Sequence, residues 1–247
     1  MHDAHCHLDL YPNPVLVARS AEDMGIRTVA VTNLPSAFFQ ALPHVSTYKY
    51  IKAAVGLHPL LADHHTNQQK LLFKDALKHT RYVGEIGLDL SREGLPTKDA
   101  QVASFRFVLN QLQGQDWIIS VHSRRAESAV LDLLTEFGIG PVIFHWYSGP
   151  LRELERAISA GHFFSVNTSM TRSNNGKRII ERIPRDRLLT ETDGPFVKVN
   201  ELPAMPRDVQ GVIDYLSNSW REPHDAIQHL VDHNLHTLHH RVGLQFP

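Results

Sequence analysis

Short apolar runs alternate along the chain with longer segments whose apolar positions recur at helical spacing. The runs cover residues 1–7, 28–32, 50–56, 82–86, 117–121, 142–145, 162–166 and 188–191. Most are bounded by polar or turn-forming residues, the pattern of short buried strands. Between them, residues 14–24 carry an apolar stripe through Val15, Ala18 and Ala21. Residues 98–113 repeat Val102, Phe105, Val108, Leu109 and Leu112, again at helical spacing. Segments 126–137, 151–160, 177–183, 208–218 and 223–239 read the same way. Pro150 and Pro223 stand where helices start, and Gly138 and Gly161 where a C-terminal glycine belongs. The weakest stretch is 35–50, where Pro35 and Pro43 leave room for a helix over residues 36–42 only.

Strands that alternate with helices pair in parallel through right-handed crossovers. Eight such units predict an α/β fold, a single (β/α)8 TIM-type barrel over residues 1–247. A doubly wound open sheet is the alternative. There is no internal repeat, low-complexity tract or linker-like stretch.

Composition narrows the function classes. With 42% hydrophobic and 21% charged residues, the chain has the makings of a large core. The formal net charge of −1 gives no global basic field, so binding of a polyanion requires a local patch. One cysteine excludes an intramolecular disulfide and fits a reducing, cytoplasmic compartment. No run approaches the roughly 18 apolar residues of a membrane span, and the histidine motif near residue 1 occupies the place of a secretory leader.

That motif is His5-Cys6-His7, at the end of the first run. Imidazoles at i and i+2 on a strand share a face, and neutral imidazole is a common ligand for divalent ions. Cys6 then points to the opposite face, into core. Further ligand types close later runs: Glu85 in the fourth, His122 in the fifth, His145 in the sixth and Asp193 after the eighth. All lie at C-terminal strand ends, where barrel active sites assemble. Taken singly, each has a structural role open to it: a hydrogen-bonded histidine, Glu85 as a cap or a partner of Arg81 or Arg92, Asp193 as a turn residue. Taken together, four imidazoles and two carboxylates exceed the ligand set of one catalytic zinc. They suit two divalent ions, about 3.5–4 Å apart, that activate a water and stabilise both attacking and leaving oxygens. Glu85 is the candidate bridge, because a carboxylate offers two oxygens. Asp193 is the candidate proton acceptor for the attacking water. No Ser-His-Asp set, glycine-rich phosphate loop or dinucleotide fingerprint is present.

These residues resemble the TatD family of metal-dependent deoxyribonucleases, within the amidohydrolase-like barrels. The segments that carry the resemblance are Asp3-Ala4-His5-Cys6-His7-Leu8-Asp9, Gly56-Leu57-His58-Pro59, Gly84-Glu85-Ile86-Gly87-Leu88-Asp89, Val121-His122-Ser123-Arg124, Phe144-His145-Trp146-Tyr147-Ser148-Gly149 and Leu188-Leu189-Thr190-Glu191-Thr192-Asp193-Gly194-Pro195. The resemblance implies that His5, His7, Glu85, His122, His145 and Asp193 carry the metals, magnesium, manganese or zinc. It implies hydrolysis of phosphodiester bonds in DNA, from a 3′ end or on single strands. There are departures. Leu90-Ser91-Arg92-Glu93 stands where aromatic residues are common, Trp146 where cysteine is frequent, and the closing motif is degraded around residues 234–238. These point to a divergent branch, similar to the TatD-like component of the Qat anti-phage defence system, with a defence role and defence-system partner proteins as its implication.

Three residues are candidates for substrate binding. Arg124 follows His122 on the ligand rim and can grip phosphate oxygens in bidentate fashion. Arg172 lies after the seventh strand, where barrels often bind phosphate, and His58 ends the third. Trp146 and Tyr147 are open to base stacking or to packing. Arg182, Arg185 and Arg187 read as a solvated face, and the His64-His65 and His239-His240 pairs as surface. Two other functions remain open: a barrel hydrolase of small amides, lactones or phosphoesters, and a non-catalytic assembly subunit that retains the fold.

Overall fold

The computed structural model describes residues 1–244. All eight candidate strands form, with ends that differ from the sequence pattern by at most two residues. In chain order the elements are β1 (His2–Cys6), α1 (Pro14–Asp23), β2 (Arg27–Val31), α2 (Pro35–Val45), β3 (Ile51–Ala54), α3 (Asn67–Ala76), β4 (Tyr82–Gly87), α4 (Lys98–Leu112), β5 (Ile118–His122), α5 (Glu127–Phe137), β6 (Ile143–His145), α6 (Leu151–Ser159), β7 (Phe163–Val166), α7 (Thr168–Arg172), α8 (Asn174–Arg182), β8 (Leu188–Thr190), β9 (Lys198–Val199), β10 (Leu202–Pro203), α9 (Gln210–Trp220) and α10 (His224–Arg241).

β1–β2–β3 and β4–β5–β6–β7–β8 are parallel ladders. A parallel bridge between Val55 and Val83 joins them, and Glu85 N donates to Thr32 O at 3.1 Å beside it. The other seam closes where Asp193 N donates to His5 O and His7 N to Gly194 O, each at 2.9 Å. Strand eight thus meets strand one, and the sheet is a closed barrel rather than the doubly wound alternative. Apolar side chains fill its lower interior, with Val29, Val31, Ile118, Ile143, Phe163 and Leu189 in one buried cluster. Leu235 and Leu238 of α10 complete that cluster from below. The larger apolar layer lies between strands and outer helices, where Phe38, Phe73, Phe105, Leu109 and Phe144 are fully buried.

Local chemistry sets the helix ends. Asn13 caps α1 by accepting from Leu16 N, with Pro14 in the first turn, and α5 stops at Gly138, whose φ of 64° is left-handed. α2 is longer than the two prolines predict: Pro43 sits inside its last turn, where it forfeits a single ladder bond, and Ser46 N still donates to Leu42 O at 2.9 Å. α3 and α7 form in polar segments that carry no legible helical period. Two of the four paired histidines are not at the surface. His65 is buried against Ser104 Oγ (2.7 Å), and His239 against Tyr82 Oη (2.9 Å), because each sits on the inward side of its element. Among the described residues no helix is long and apolar enough to cross a membrane.

The floor is held by a polar clasp. Buried His2 donates from Nδ1 to Asp232 Oδ1 (3.0 Å) and accepts from Thr190 N at Nε2 (3.1 Å), so it needs both nitrogens in the neutral state. Burial lowers its pKa accordingly. Burial works to raise Asp232, but the hydrogen bond from His2 and the Met1 ammonium outweigh it and bring that carboxyl to about 2. A folded-state pKa below the unfolded value of about 3.9 stabilises the fold above that pH and is lost as pH falls toward the folded value. Asp232→Ala is therefore expected to cost about 1–3 kcal/mol at pH 7 in urea unfolding. The gap to wild type should shrink between about pH 4 and pH 2; a gap that does not change with pH would remove the carboxylate charge as its source.

Candidate metal centre

Barrel strands deliver side chains to the rim at their C-terminal ends. Two strands depart from regular pairing where ligands leave them. The β1–β2 register shifts between Asp3 and Cys6, and the β4–β5 register between Val83 and Ile86. Such irregularities re-aim side chains next to active sites; here they serve His5 and Glu85. Two glycines make the close approach possible. A Cβ on Gly56 would lie 1.9 Å from Thr32 O and 2.5 Å from Glu85 N, and one on Gly87 2.0 Å from His122 O. Gly87 also has φ of 132°, a conformation L side chains rarely adopt.

Glu85 is the centre of what converges. Its Oε2 faces His7 Nε2 at 3.1 Å and His5 Nε2 at 3.4 Å. Its Oε1 faces His122 Nδ1 at 2.6 Å, His145 Nε2 at 2.8 Å and His58 Nε2 at 3.3 Å. Asp193 Oδ1 stands 3.6 Å from both His5 Nε2 and His7 Nε2. All six sequence-predicted ligands therefore meet in one place. His58, expected as a phosphate contact, lies among them and lines the cavity they share. Arg124 is exposed and lines the same cavity of about 450 Å³, together with Trp146 and Phe196. Arg172 does not line it. Its guanidinium donates to Thr168 and to Lys198 O, tying α7 to β9. Tyr147 is packed against Phe144 and Phe164 rather than presented to a ligand. Cys6 is buried with its sulfur toward Tyr11 and Gly194 O, on the core side as its strand position predicts.

A second layer orients the first. Ser120 Oγ lies 2.7 Å from His5 Nδ1, and the His5 ring stacks on His145 with centroids 3.8 Å apart. Asp89 Oδ2 holds His122 Nε2 at 2.9 Å. Glu191 accepts from Trp146 N, from Asn167 Nδ2 and from Ser165 Oγ. Trp146 and Asp193 both have left-handed backbones, φ 36° and 49°, the kind of strain that functional sites retain. Asp89 and Glu191 were given no role by the sequence. The signal was present for Glu191, which stands at i−2 from Asp193 as His5 does from His7.

The electrostatics describe a place prepared for cations. Burial, and then His145, holds His5 well below its ordinary pKa, and burial lowers His145 against the pull of Glu85. Both are thereby neutral imidazoles able to ligate. Burial opposes the charge of Glu85, yet the surrounding histidines keep that carboxyl well below the usual range. Burial and then Glu191, Glu85 and Asp3 push Asp193 well above it. His7 Nδ1, His145 Nδ1 and Asp193 Oδ1 are buried with no hydrogen-bond partner, a costly condition that ligation relieves for atoms facing an ion. His5, His7 and Asp193 offer ligand atoms within 4.8 Å of one another, as do His58, Glu85 and His122, and His5, His145 and Glu191. The donor set, imidazole nitrogen plus carboxylate oxygen, fits divalent ions such as zinc and manganese.

Similar proteins are known. The metal-dependent hydrolase YjjV of Escherichia coli is 27% identical over 250 residues, 96% of each chain. The human deoxyribonuclease TATDN3 is 26% identical over 212 residues, 78% of this chain and 77% of that one. The crystal structure of YjjV, a TatD homologue, superposes with a TM-score of 0.87 over 96% of this chain and 97% of that chain, at 26% identity. A TatD family hydrolase from Entamoeba histolytica shares the fold at a TM-score of 0.83 and 18% identity, over 96% and 97% of the two chains. The TatD related DNase family matches residues 2–240, so the chain, a metal-dependent hydrolase, belongs to the TatD family.

Proposed function

We propose that this hydrolase cleaves phosphodiester bonds in DNA with two divalent ions, magnesium, manganese or zinc, which His5, His7, Glu85, His122, His145 and Asp193 would hold. The observation that carries the reading is the division of labour within that one carboxylate: Oε2 faces His5 and His7, Oε1 faces His58, His122 and His145. Asp193 belongs to the first group, and it is buried with an oxygen that no hydrogen bond occupies. When bound, the ions supply Lewis acidity and make a water acidic enough to attack at neutral pH.

The chain's own residues do the rest. Asp193, which burial and its acidic neighbours raise in the protein alone and which bound cations would keep ionised, would accept the proton of the attacking water from a position beside His5 and His7. Arg124, which no carboxylate of the described residues engages, meets the phosphate oxygens at the cavity wall. Phe196 packs edge-on against His7 with centroids 5.1 Å apart and is 57% exposed at the cavity, a platform for a sugar or base. Asp89 and Glu191 act through others, by fixing His122 and the Trp146 backbone. The human relative's name supports DNA as substrate. Preference for single strands, digestion from a 3′ end and a role in phage defence with partner proteins follow from the family resemblance. Plaque counts on cells carrying wild type or Asp193→Asn test the last of these.

Purified protein with manganese is expected to degrade single-stranded DNA labelled at its 5′ end into a ladder that shortens from the 3′ end. Asp193→Asn should lower turnover by about 10²–10⁴-fold, the share of a positioned acid or base, while the circular dichroism spectrum and Tm stay near wild type. Equal cleavage by both proteins would rule out catalysis at this centre. Glu85→Gln removes the shared charge, so metal analysis after dialysis should find less than half of the wild-type divalent content; full retention would place the ions elsewhere. Arg124→Ala should raise KM more than it lowers kcat, and flatten the salt dependence by about 0.7 for each phosphate on a single strand that the arginine neutralises.

A further inference from the structure

Beside the metal cavity, and sharing Arg124 with it, lies a second open recess of about 490 Å³ lined by Ser91, Arg92, Glu93, Arg124 and Arg125. It is built by two loops that follow β4 and β5, held together where Leu90 N donates to Arg124 O at 2.9 Å. The guanidinium groups of Arg92, Arg124 and Arg125 are exposed, and no ion pair within the described residues engages them. Elsewhere Arg106, Arg156, Arg182 and Arg185 are each held by a carboxylate. Ser91 is 6% exposed and turned toward Asp89, whose carboxyl it helps to hold below the usual range. Arg125 has a left-handed backbone, φ 55°, which a non-glycine residue adopts at a cost. Its N–H donates to Glu127 Oε1 at 3.3 Å, so the neighbouring carboxylate is engaged by backbone rather than by the arginine side chain. Glu93 is the lone acidic wall, against three cations.

Three guanidinium groups free of carboxylates and gathered on one recess are the chemistry that grips the oxygens of a phosphate. An occupant that fills the metal cavity and reaches past Arg124 carries a second anion next to the bond being cut. We propose that Arg92 and Arg125 form a subsite for the phosphate adjacent to the scissile one. The proposal rests on the hydrolase reading above and deepens it. Arg124 stands between the two phosphates and serves both places.

The test uses the full chain with manganese and short single-stranded DNA. In one set of oligonucleotides the phosphate on one side of a single cleavable linkage is replaced by a neutral methylphosphonate, and in a second set the phosphate on the other side. For wild type, one of the two replacements should raise KM by about tenfold, the equivalent of one charge-assisted hydrogen bond. The double variant Arg92→Ala, Arg125→Asn, in which asparagine tolerates the left-handed backbone, should raise KM for the all-phosphate strand by a similar factor. It should then show no further loss on the methylphosphonate. Arg92→Lys, which keeps the charge, should recover part of the affinity. Additive losses in variant and substrate, or a wild type indifferent to both replacements, would overturn the subsite. Wild-type turnover of bis(4-nitrophenyl) phosphate, too small to span both places, reports on the metal centre by itself and so separates failure of the subsite from failure of the hydrolase reading.

Discussion

One buried carboxylate organises the upper half of this barrel. Glu85 is 2% exposed, and five imidazole nitrogens stand within 3.4 Å of its two oxygens. A carboxylate in that position needs positive charge nearby, since an ionised group out of water is otherwise expensive. His5 and His145 cannot supply it, because burial lowers both. His122 can as long as it does not ligate an ion: Asp89 and Glu85 together overcome burial and lift it to about 9. Asp193 and Glu191 add further buried carboxyls around the same point, both pushed upward chiefly by burial. Divalent cations resolve this excess of acceptors in one step, which is why the same residues read as a ligand set rather than as a hydrogen-bonded core.

The barrel exists to bring those groups together, and its closure depends on polar contacts as much as on apolar packing. Asp3 accepts from Thr192 N and from Thr192 Oγ1, tying the first strand to the chain just before Asp193. Burial raises that aspartate to about 7 in spite of these bonds. The floor is secured by His2, Thr190 and Asp232, and Asn234 of α10 donates to Arg185 O and Leu188 O at the base of β8. The rim therefore sits on a scaffold fixed at both ends of β1 and β8, the pair that positions His5, His7 and Asp193. Precise placement of ligands on rigid elements, rather than on free loops, is what a metal centre requires.

Much of this was legible along the chain because barrel strands are buried on both faces and read as apolar runs, several of which have a polar residue at or near the C-terminal end. The His5 and His7 spacing, and the polar ends at Glu85, His122 and His145, carried the centre. What was not legible has physical reasons. α3 opens on Asn67-Gln68-Gln69-Lys70, which shows no apolar period, and its helix is fixed by the Thr66 cap and by burial of Phe73 and Ala76. Pro43 misled because a proline in a final turn costs little. Arg172 is engaged by Thr168 one turn back in α7 and by Lys198 O, the latter a contact that only the β9–β10 hairpin creates. His58 stands in the ligand cluster because its ring caps the turn after β3, accepting from Leu60 N at 3.2 Å, which aims Nε2 at Glu85. Asp89 gains its role only once the strand end folds it under His122.

The most direct measurement is anomalous diffraction from crystals soaked in manganese, collected near the metal's absorption edge. Two difference peaks flanking Glu85 are expected, one beside His5, His7 and Asp193 and the other beside His58, His122 and His145. A single peak, or peaks that leave either oxygen of Glu85 without a cation, would be incompatible with a two-ion centre built on that carboxylate.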